Sequence, residues 1–325
     1  MKILLTHTPH MRDNYYGPRA LAGLSVLGEV VLHQGRDTLE GAALIAAAGG
    51  CDLIVADRAT ALPKPIFDAL PMLKAALRCA VDIRNIDVAA ASSHGVLVTR
   101  AKPGFVESVT ELVFGFLVDL NRGVSRAAAA FQAGRVPAAE MGRQLAGTTI
   151  GIIGYGAIGR AVAPLAAHMG MRVLISDPYA KVGEPGFEQV DLATLLASAD
   201  HVVCLAVANE ATENLINAGA FARMRKDAVF INVSRGNLVD EAALATAITQ
   251  GKIAGAAIDV GRAPDQMPTP AIAALPNVIA TPHIGGLTPP AIEAQALNTV
   301  EQVRALVAGA VPEGAVNTET WTRRI

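Results

Sequence analysis

The sequence predicts an α/β protein of two domains. Three observations carry that reading: the length, the apolar composition, and an alternation of short strand-like runs with longer helical ones. At 325 residues the chain exceeds one ordinary compact domain. Hydrophobic residues make up 52% and charged residues 17%. An average domain is about 25% charged, so this chain can bury a large core and is not intrinsically disordered. Short β-branched or leucine-rich runs at 3–6, 30–33, 52–56, 76–81 and 95–99 read as strands, with helical spacing at 19–27, 39–48, 66–70 and 87–93 between them. The strand rhythm restarts at 148–153 and continues at 172–176, 201–206, 228–233, 255–260 and 278–281. Such alternation argues for parallel sheets covered by helices on both faces, which explains why the strands are continuously apolar.

Between the halves, Pro103-Gly104 precedes a helical pattern at 108–120, and a second helical stretch at 290–307 leads to the C-terminus. The economical arrangement inserts one βαβ unit into the other, giving one domain from 1–100 and 287–325 and another from 101–286. A cleft between two such domains is the expected place for a small-molecule site. The lone tryptophan, Trp321, reads as a packing anchor for the tail.

Charge and cysteine usage narrow the function classes. Net charge is −2, from 27 basic and 29 acidic residues in no long block, so no nucleic-acid footprint is expected. Charges such as Asp52 and Asp119 interrupt the apolar runs before they reach the ~20 residues of a membrane span. The opening residues, Met1 to His7, lack the apolar core of a signal peptide. Cys51, Cys79 and Cys204 share no ligand spacing, which fits reduced core thiols rather than disulfides or a metal site. A soluble, cytoplasmic protein is the expectation.

The strongest motif is Gly151-Ile152-Ile153-Gly154-Tyr155-Gly156-Ala157-Ile158-Gly159-Arg160. An apolar strand precedes it and a helical pattern follows, the context in which G-x-G-x-x-G marks a Rossmann-type dinucleotide site. Gly154 permits the tight turn, Gly156 lets the backbone approach a pyrophosphate, and Gly159 lets the helix pack on its strand. The helix N-terminus then offers N–H groups and a positive dipole end to phosphate. Asp177 follows the next strand, where an acid accepts the adenine ribose hydroxyls and repels a 2′-phosphate, which favours NAD over NADP. Asp177 would also serve as a helix cap before Pro178.

Further along, Arg235 follows the strand in Ile231-Asn232-Val233-Ser234-Arg235-Gly236. Asp259 ends Ala256-Ala257-Ile258, and His283 lies in Thr281-Pro282-His283-Ile284-Gly285-Gly286. Each alone has a plain explanation: a surface ion pair, a turn acid, a hydrogen-bonded loop histidine. All three follow strand ends, where ligand sites of open α/β sheets collect.

With the glycine motif, these segments and Ser176-Asp177-Pro178-Tyr179 resemble the NAD-dependent D-2-hydroxyacid dehydrogenases, in particular their phosphoglycerate-dehydrogenase-like branch. The resemblance covers nearly the whole chain and is densest from Gly147 to Gly286. It implies a Rossmann-type doubly wound cofactor domain inserted into a smaller, flavodoxin-like α/β domain, within a homodimer. It also implies a small 2-oxo or 2-hydroxy acid as substrate, Arg235 as its carboxylate clamp, His283 as acid/base and Asp259 near the nicotinamide. The cofactor set expected is Gly154, Gly156, Ala157, Ile158, Gly159, Asp177, Val207, Val233, Asp259 and Gly285. Val81, Asp82, Arg84 and Arg235 are the expected substrate contacts, with no metal. A guanidinium suits the clamp because it grips a carboxylate bidentately, and imidazole moves a proton near neutral pH.

Two departures from the family stand out. Where the family pairs its histidine with Glu, this chain has Pro264. A carboxylate there would raise the histidine pKa and fix its tautomer. Asp265 could replace it or be a solvated loop acid, and Gln266 is a weaker, neutral substitute. In the substrate half, Ala80 and Asp82 stand at usual glycine places, and Arg100 and Phe105 where Asn is frequent. Asp82 would repel a substrate carboxylate unless Arg84 or Arg100 neutralises it; otherwise it binds a substrate hydroxyl or amine, or points away. These departures suggest an uncommon 2-oxo acid. The alternative reading is a non-catalytic NAD-sensing or corepressor-like protein on the same fold.

Overall fold

The computed structural model describes residues 1–325. The chain divides into two compact units, Met1–Gly104 with Pro289–Ile325, and Phe105–Thr288.

The first unit is built on five parallel strands: β1 (Lys2–Leu5), β2 (Glu29–Leu32), β3 (Leu53–Ala56), β4 (Ala75–Arg78) and β5 (Leu97–Arg100). Their order is β2-β1-β3-β4-β5. Alternating side chains supply two cores. Leu4, Ile54, Ala76 and Val98 pack with Leu44 and Phe67 on one face. Ile3, Leu5, Val55 and Leu77 pack with Leu24, Val300 and Leu306 on the other. Trp321 is buried in that second core, and its indole N–H donates to the Arg323 carbonyl at 3.0 Å.

The second unit carries seven parallel strands: β6 (Thr149–Ile153), β7 (Arg172–Ser176), β8 (Phe187–Gln189), β9 (His201–Cys204), β10 (Val229–Asn232), β11 (Gly255–Ile258) and β12 (Val278–Ala280). The order β12-β11-β10-β9-β6-β7-β8 reverses between β6 and β9, the arrangement of a doubly wound sheet. Ile150, Ile152, Val173, Ile175 and Ile231 face one core, and Leu174, Val202, Cys204, Phe230 and Ile258 the other. The pattern of apolar runs passes over β8, because three residues, Phe-Glu-Gln, at a sheet edge leave no apolar signature. It also passes over the helix Val124–Gln132, which buries none of its residues.

No helix is long and apolar enough to cross a membrane. All three cysteines are buried free thiols.

Candidate functional site

In the second unit the candidate functional side chains follow the carboxyl ends of the strands. The β6 glycines divide three tasks. Gly154 adopts φ +97°, and a Cβ there would lie 2.7 Å from Leu205 and Ala206 backbone atoms. A Cβ on Gly159 would lie 2.4 Å from the Gly154 oxygen, so the helix Ala157–His168 sits against its own turn. Gly156, the N-cap of that helix, has nothing within 4 Å of its Cβ position, and no side chain caps the first turn. The tight positions are therefore packed by protein and the middle one lies open beside the helix N-terminus. That cradle fits a dinucleotide pyrophosphate.

Asp177 follows β7. Its carboxylate accepts from Tyr155 N–H at 2.7 Å, Tyr179 N–H at 2.8 Å and Ala180 N–H at 2.9 Å. Desolvation opposes its charge, but these backbone donors, with Arg160 nearby, hold the carboxyl below its ordinary range. The anion thus ties the second turn to the first and keeps a negative charge beside the glycine loop. Below it, the Arg160 guanidinium lies 4.3 Å from the centroid of the buried Tyr155 ring and 3.2 Å from Glu184. Val207, after β9, is 78% exposed, an apolar surface at the carboxyl edge, whereas Val233, after β10, is part of the core.

The Arg235 loop is pinned by its own polar residues. Asn232, fully buried at the end of β10, accepts from Ser234 N–H at 3.1 Å and donates to the Arg235 carbonyl at 3.0 Å. Ser234 Oγ donates to the Ala206 carbonyl at 2.7 Å, and Arg235 Nη1 to the Ser234 carbonyl at 2.7 Å. A Cβ on Gly236 would fall 2.0 Å from the Gly261 oxygen, so the Arg235 loop rests directly on the backbone that follows β11. Neither Asn232 nor the Gly236–Gly261 approach was assigned a role from the sequence. Their only signal there is an amide ending an apolar strand and a glycine in each loop.

Asp259 is 1% exposed and holds the histidine loop. Its Oδ1 accepts from Thr281 Oγ1 at 2.7 Å and Ile284 N–H at 2.8 Å, and its Oδ2 from Gly285 N–H at 2.8 Å. Gly285 is required there, since a Cβ would lie 2.9 Å from Asp259 Oδ2. His283 takes a left-handed φ of 56°, and its Nδ1 lies 2.8 Å from the main-chain oxygen of Asp265. A carbonyl only accepts, so Nδ1 carries the proton, and in the neutral ring Nε2 carries the lone pair. The sequence leaves Asp265 open, as a replacement carboxylate for this place or as a solvated loop acid. At Nδ1 the structure corrects the carboxylate to the carbonyl of the same residue, because φ 56° at Asp265 turns the peptide oxygen toward the ring and leaves an exposed side chain.

In the first unit, Val81, Asp82 and Arg84 follow β4. Arg84 Nε and Nη2 fork onto the Asp82 carboxylate at 3.0 and 2.6 Å, which neutralises that acid and raises the Arg84 pKa. Arg78, buried at the end of β4, donates to the main-chain carbonyls of Asp57, Arg58, Thr60 and Asp82. It therefore ties the loops after β3 and β4 together.

A glycine-turned βαβ unit with an acid after its second strand, and Arg, Asp and His at later strand ends, defines a dinucleotide-linked protein of the Rossmann class. Comparison with known proteins narrows this. Residues 114–285 match the model of the D-isomer specific 2-hydroxyacid dehydrogenase NAD-binding domain. The chain is 31% identical over 304 residues to a D-3-phosphoglycerate dehydrogenase of Mycobacterium leprae, covering 92% of this chain and 57% of that one. It is 33% identical over 257 residues to a hydroxypyruvate reductase of Thermotoga maritima, covering 78% and 83%. The solved structure of the TT0316 protein from Thermus thermophilus superposes with TM-score 0.85 at 30% identity, over 97% of this chain and all of that one. The chain belongs to the D-isomer specific 2-hydroxyacid dehydrogenase family, and its second unit contains the NAD-binding domain. It spans little more than half the length of the phosphoglycerate dehydrogenases it matches.

Proposed function

We propose that the protein interconverts a small D-2-hydroxy acid and its 2-oxo acid, with Arg235 as carboxylate clamp and His283 as acid/base. The observation that carries this reading is the proton placement at His283. Nδ1 lies 2.8 Å from the Asp265 carbonyl, which places a ring proton on that nitrogen, and Asp259 ties down the loop, so the imidazole is held in an orientation suited to proton exchange at Nε2. NAD, when bound, supplies or accepts the hydride. Its binding set is Gly154, Gly156, Ala157, Ile158, Gly159 and Asp177, with Val207, Val233, Asp259 and Gly285 lining the nicotinamide side.

In the reductive direction, Arg235 grips the substrate carboxylate with two parallel N–H donors and polarises the adjacent carbonyl. As negative charge builds on the carbonyl oxygen, protonated His283 delivers the Nε2 proton to it. The reverse direction needs neutral imidazole, which takes the hydroxyl proton at Nε2. The unit Met1–Gly104 with Pro289–Ile325 serves as the substrate domain in this proposal, with Val81 and the Asp82–Arg84 pair as its contacts. That pair presents little net charge, so it admits an anionic substrate that a lone Asp82 would repel.

The working form in this proposal is a cytoplasmic homodimer. The helix Val124–Gln132, with no buried residue and with Val124 and Phe131 exposed, offers an apolar stripe for a second copy. Three unpaired thiols suit a reducing compartment. The test is NADH oxidation across a broad panel of 2-oxo acids. Turnover with at least one small member is expected; tight NADH binding with background oxidation throughout would leave the NAD-sensing alternative.

A further inference from the structure

His283 is oriented by a turn whose backbone is held in a costly shape. Asp265, Gln266 and His283 itself all lie in the left-handed region, at φ 56°, 57° and 56°. None is glycine, and such conformations persist only where the surroundings over-determine them. Here the surroundings are visible. The Gln266 carbonyl accepts from Gly261 N–H at 2.8 Å, Ala263 N–H donates to the Met267 carbonyl at 3.0 Å, and Met267 N–H to the Pro264 carbonyl at 3.2 Å. Gly261 has no room for a Cβ, which would meet Pro268 Cα at 2.5 Å. A turn that carries this much unfavourable local structure ends with one product: a main-chain oxygen 2.8 Å from His283 Nδ1.

We propose that the turn Pro264–Gln266 is the positioning element of the acid/base, and that its working atom is the Asp265 main-chain oxygen. The inference rests on the reading of His283 as acid/base. Its content is that a neutral peptide dipole, fixed by backbone geometry, sets the tautomer and ring plane of the histidine. The Asp265 carboxylate takes no part in that contact. Asp259, the other acid bonded to this loop, accepts from Thr281, Ile284 and Gly285 and so fixes the backbone around the histidine.

The distinction is testable because substitutions can separate side chain from backbone. Asp265→Asn removes the charge and Asp265→Gly the whole side chain. Both residue types tolerate a left-handed φ, so both keep the carbonyl in place. Their kcat/KM against pH should keep the shape and midpoints of the wild-type profile, since the main-chain oxygen at Nδ1 is retained. Asp265→Pro fixes φ near −65°, which re-aims the oxygen. It should lower kcat about tenfold or more, part of the 10²–10⁴ that a positioned acid/base supplies, with NADH affinity unchanged. A displaced pH profile in Asp265→Asn, or an unaltered kcat in Asp265→Pro, overturns the proposal. The tautomer can be read without turnover by ¹⁵N–¹H correlation of the His283 ring in the NADH complex. Nδ1–H in wild type and Asp265→Asn is expected, and Nε2–H overturns it. If no 2-oxo acid is turned over while Nδ1–H is observed, the proposed activity fails, and with it the acid/base role of the turn, while Nε2–H in an enzyme that does turn over overturns the positioning inference alone.

Discussion

Replacing Asp259 by Asn should cost more than a change of one atom suggests. The carboxylate accepts from two main-chain N–H groups and one hydroxyl, all within 2.8 Å, in a site 1% exposed. Asn keeps one acceptor oxygen and gains an NH₂. In one orientation the NH₂ faces Gly285 N–H. In the other it faces Ile284 N–H, while Thr281 can reverse and accept. Either way one buried donor loses its partner and meets another donor. Hydrogen bonds to charged groups are worth about 1.5–3 kcal/mol, and an orphaned buried donor costs about 1–3 kcal/mol. A loss of roughly 3 kcal/mol is therefore expected for Asp259→Asn, and about 1.5 kcal/mol for Thr281→Val, which removes only the one hydroxyl bond to the carboxylate. Urea unfolding followed by far-UV circular dichroism is the suitable assay, since the sole tryptophan lies in the other unit. Activity should fall with stability, because the same loop carries His283. A loss below about 1 kcal/mol in Asp259→Asn would refute the loop-clamp reasoning, since it lies under the cost of a single orphaned donor.

Arg235→Lys keeps the charge and loses the fork, so kcat/KM for 2-oxo acids should drop by about tenfold or more while NADH affinity holds; near-normal kcat/KM would sink the clamp. Gly156→Ala has room in the protein and should fold normally but bind NADH weakly by fluorescence titration, whereas Gly159→Ala, with its Cβ 2.4 Å from the Gly154 oxygen, should lose Tm as well. Equal thermal stability of the two variants would remove the division of labour among the glycines. His7 and His201 are buried, and desolvation lowers each to about 4 from an ordinary 6.5. The unfolded chain then binds more protons between those values, so their stabilisation is complete above pH 6.5 and is lost as pH falls toward 4, on the order of 3 kcal/mol each. His201→Gln should flatten the slope of stability against pH in that window; an unchanged slope would show that His201 is protonated in the folded state.

What the sequence could determine by itself was whatever near neighbours decide. Strand and helix periodicity, the glycine turn after β6 and an acid after β7 all depend on residues a few positions apart, so an α/β fold and a dinucleotide cradle were legible. Arg235, Asp259 and His283 were legible as strand-end residues for the same reason. The partners of Asp259 and His283 were not, because these lie 18 to 26 residues away and depend on loop shape. Nothing in Pro264-Asp265-Gln266 announces two left-handed residues, since neither is glycine, so only the tertiary structure could put a peptide oxygen where a carboxylate is expected. The same holds for Asp259, which burial commits to holding a loop, whereas Arg84, two residues from Asp82, was legible as its partner and the structure only chose it over Arg100. Local sequence set which elements form; long-range packing decided which polar atoms those elements bring together.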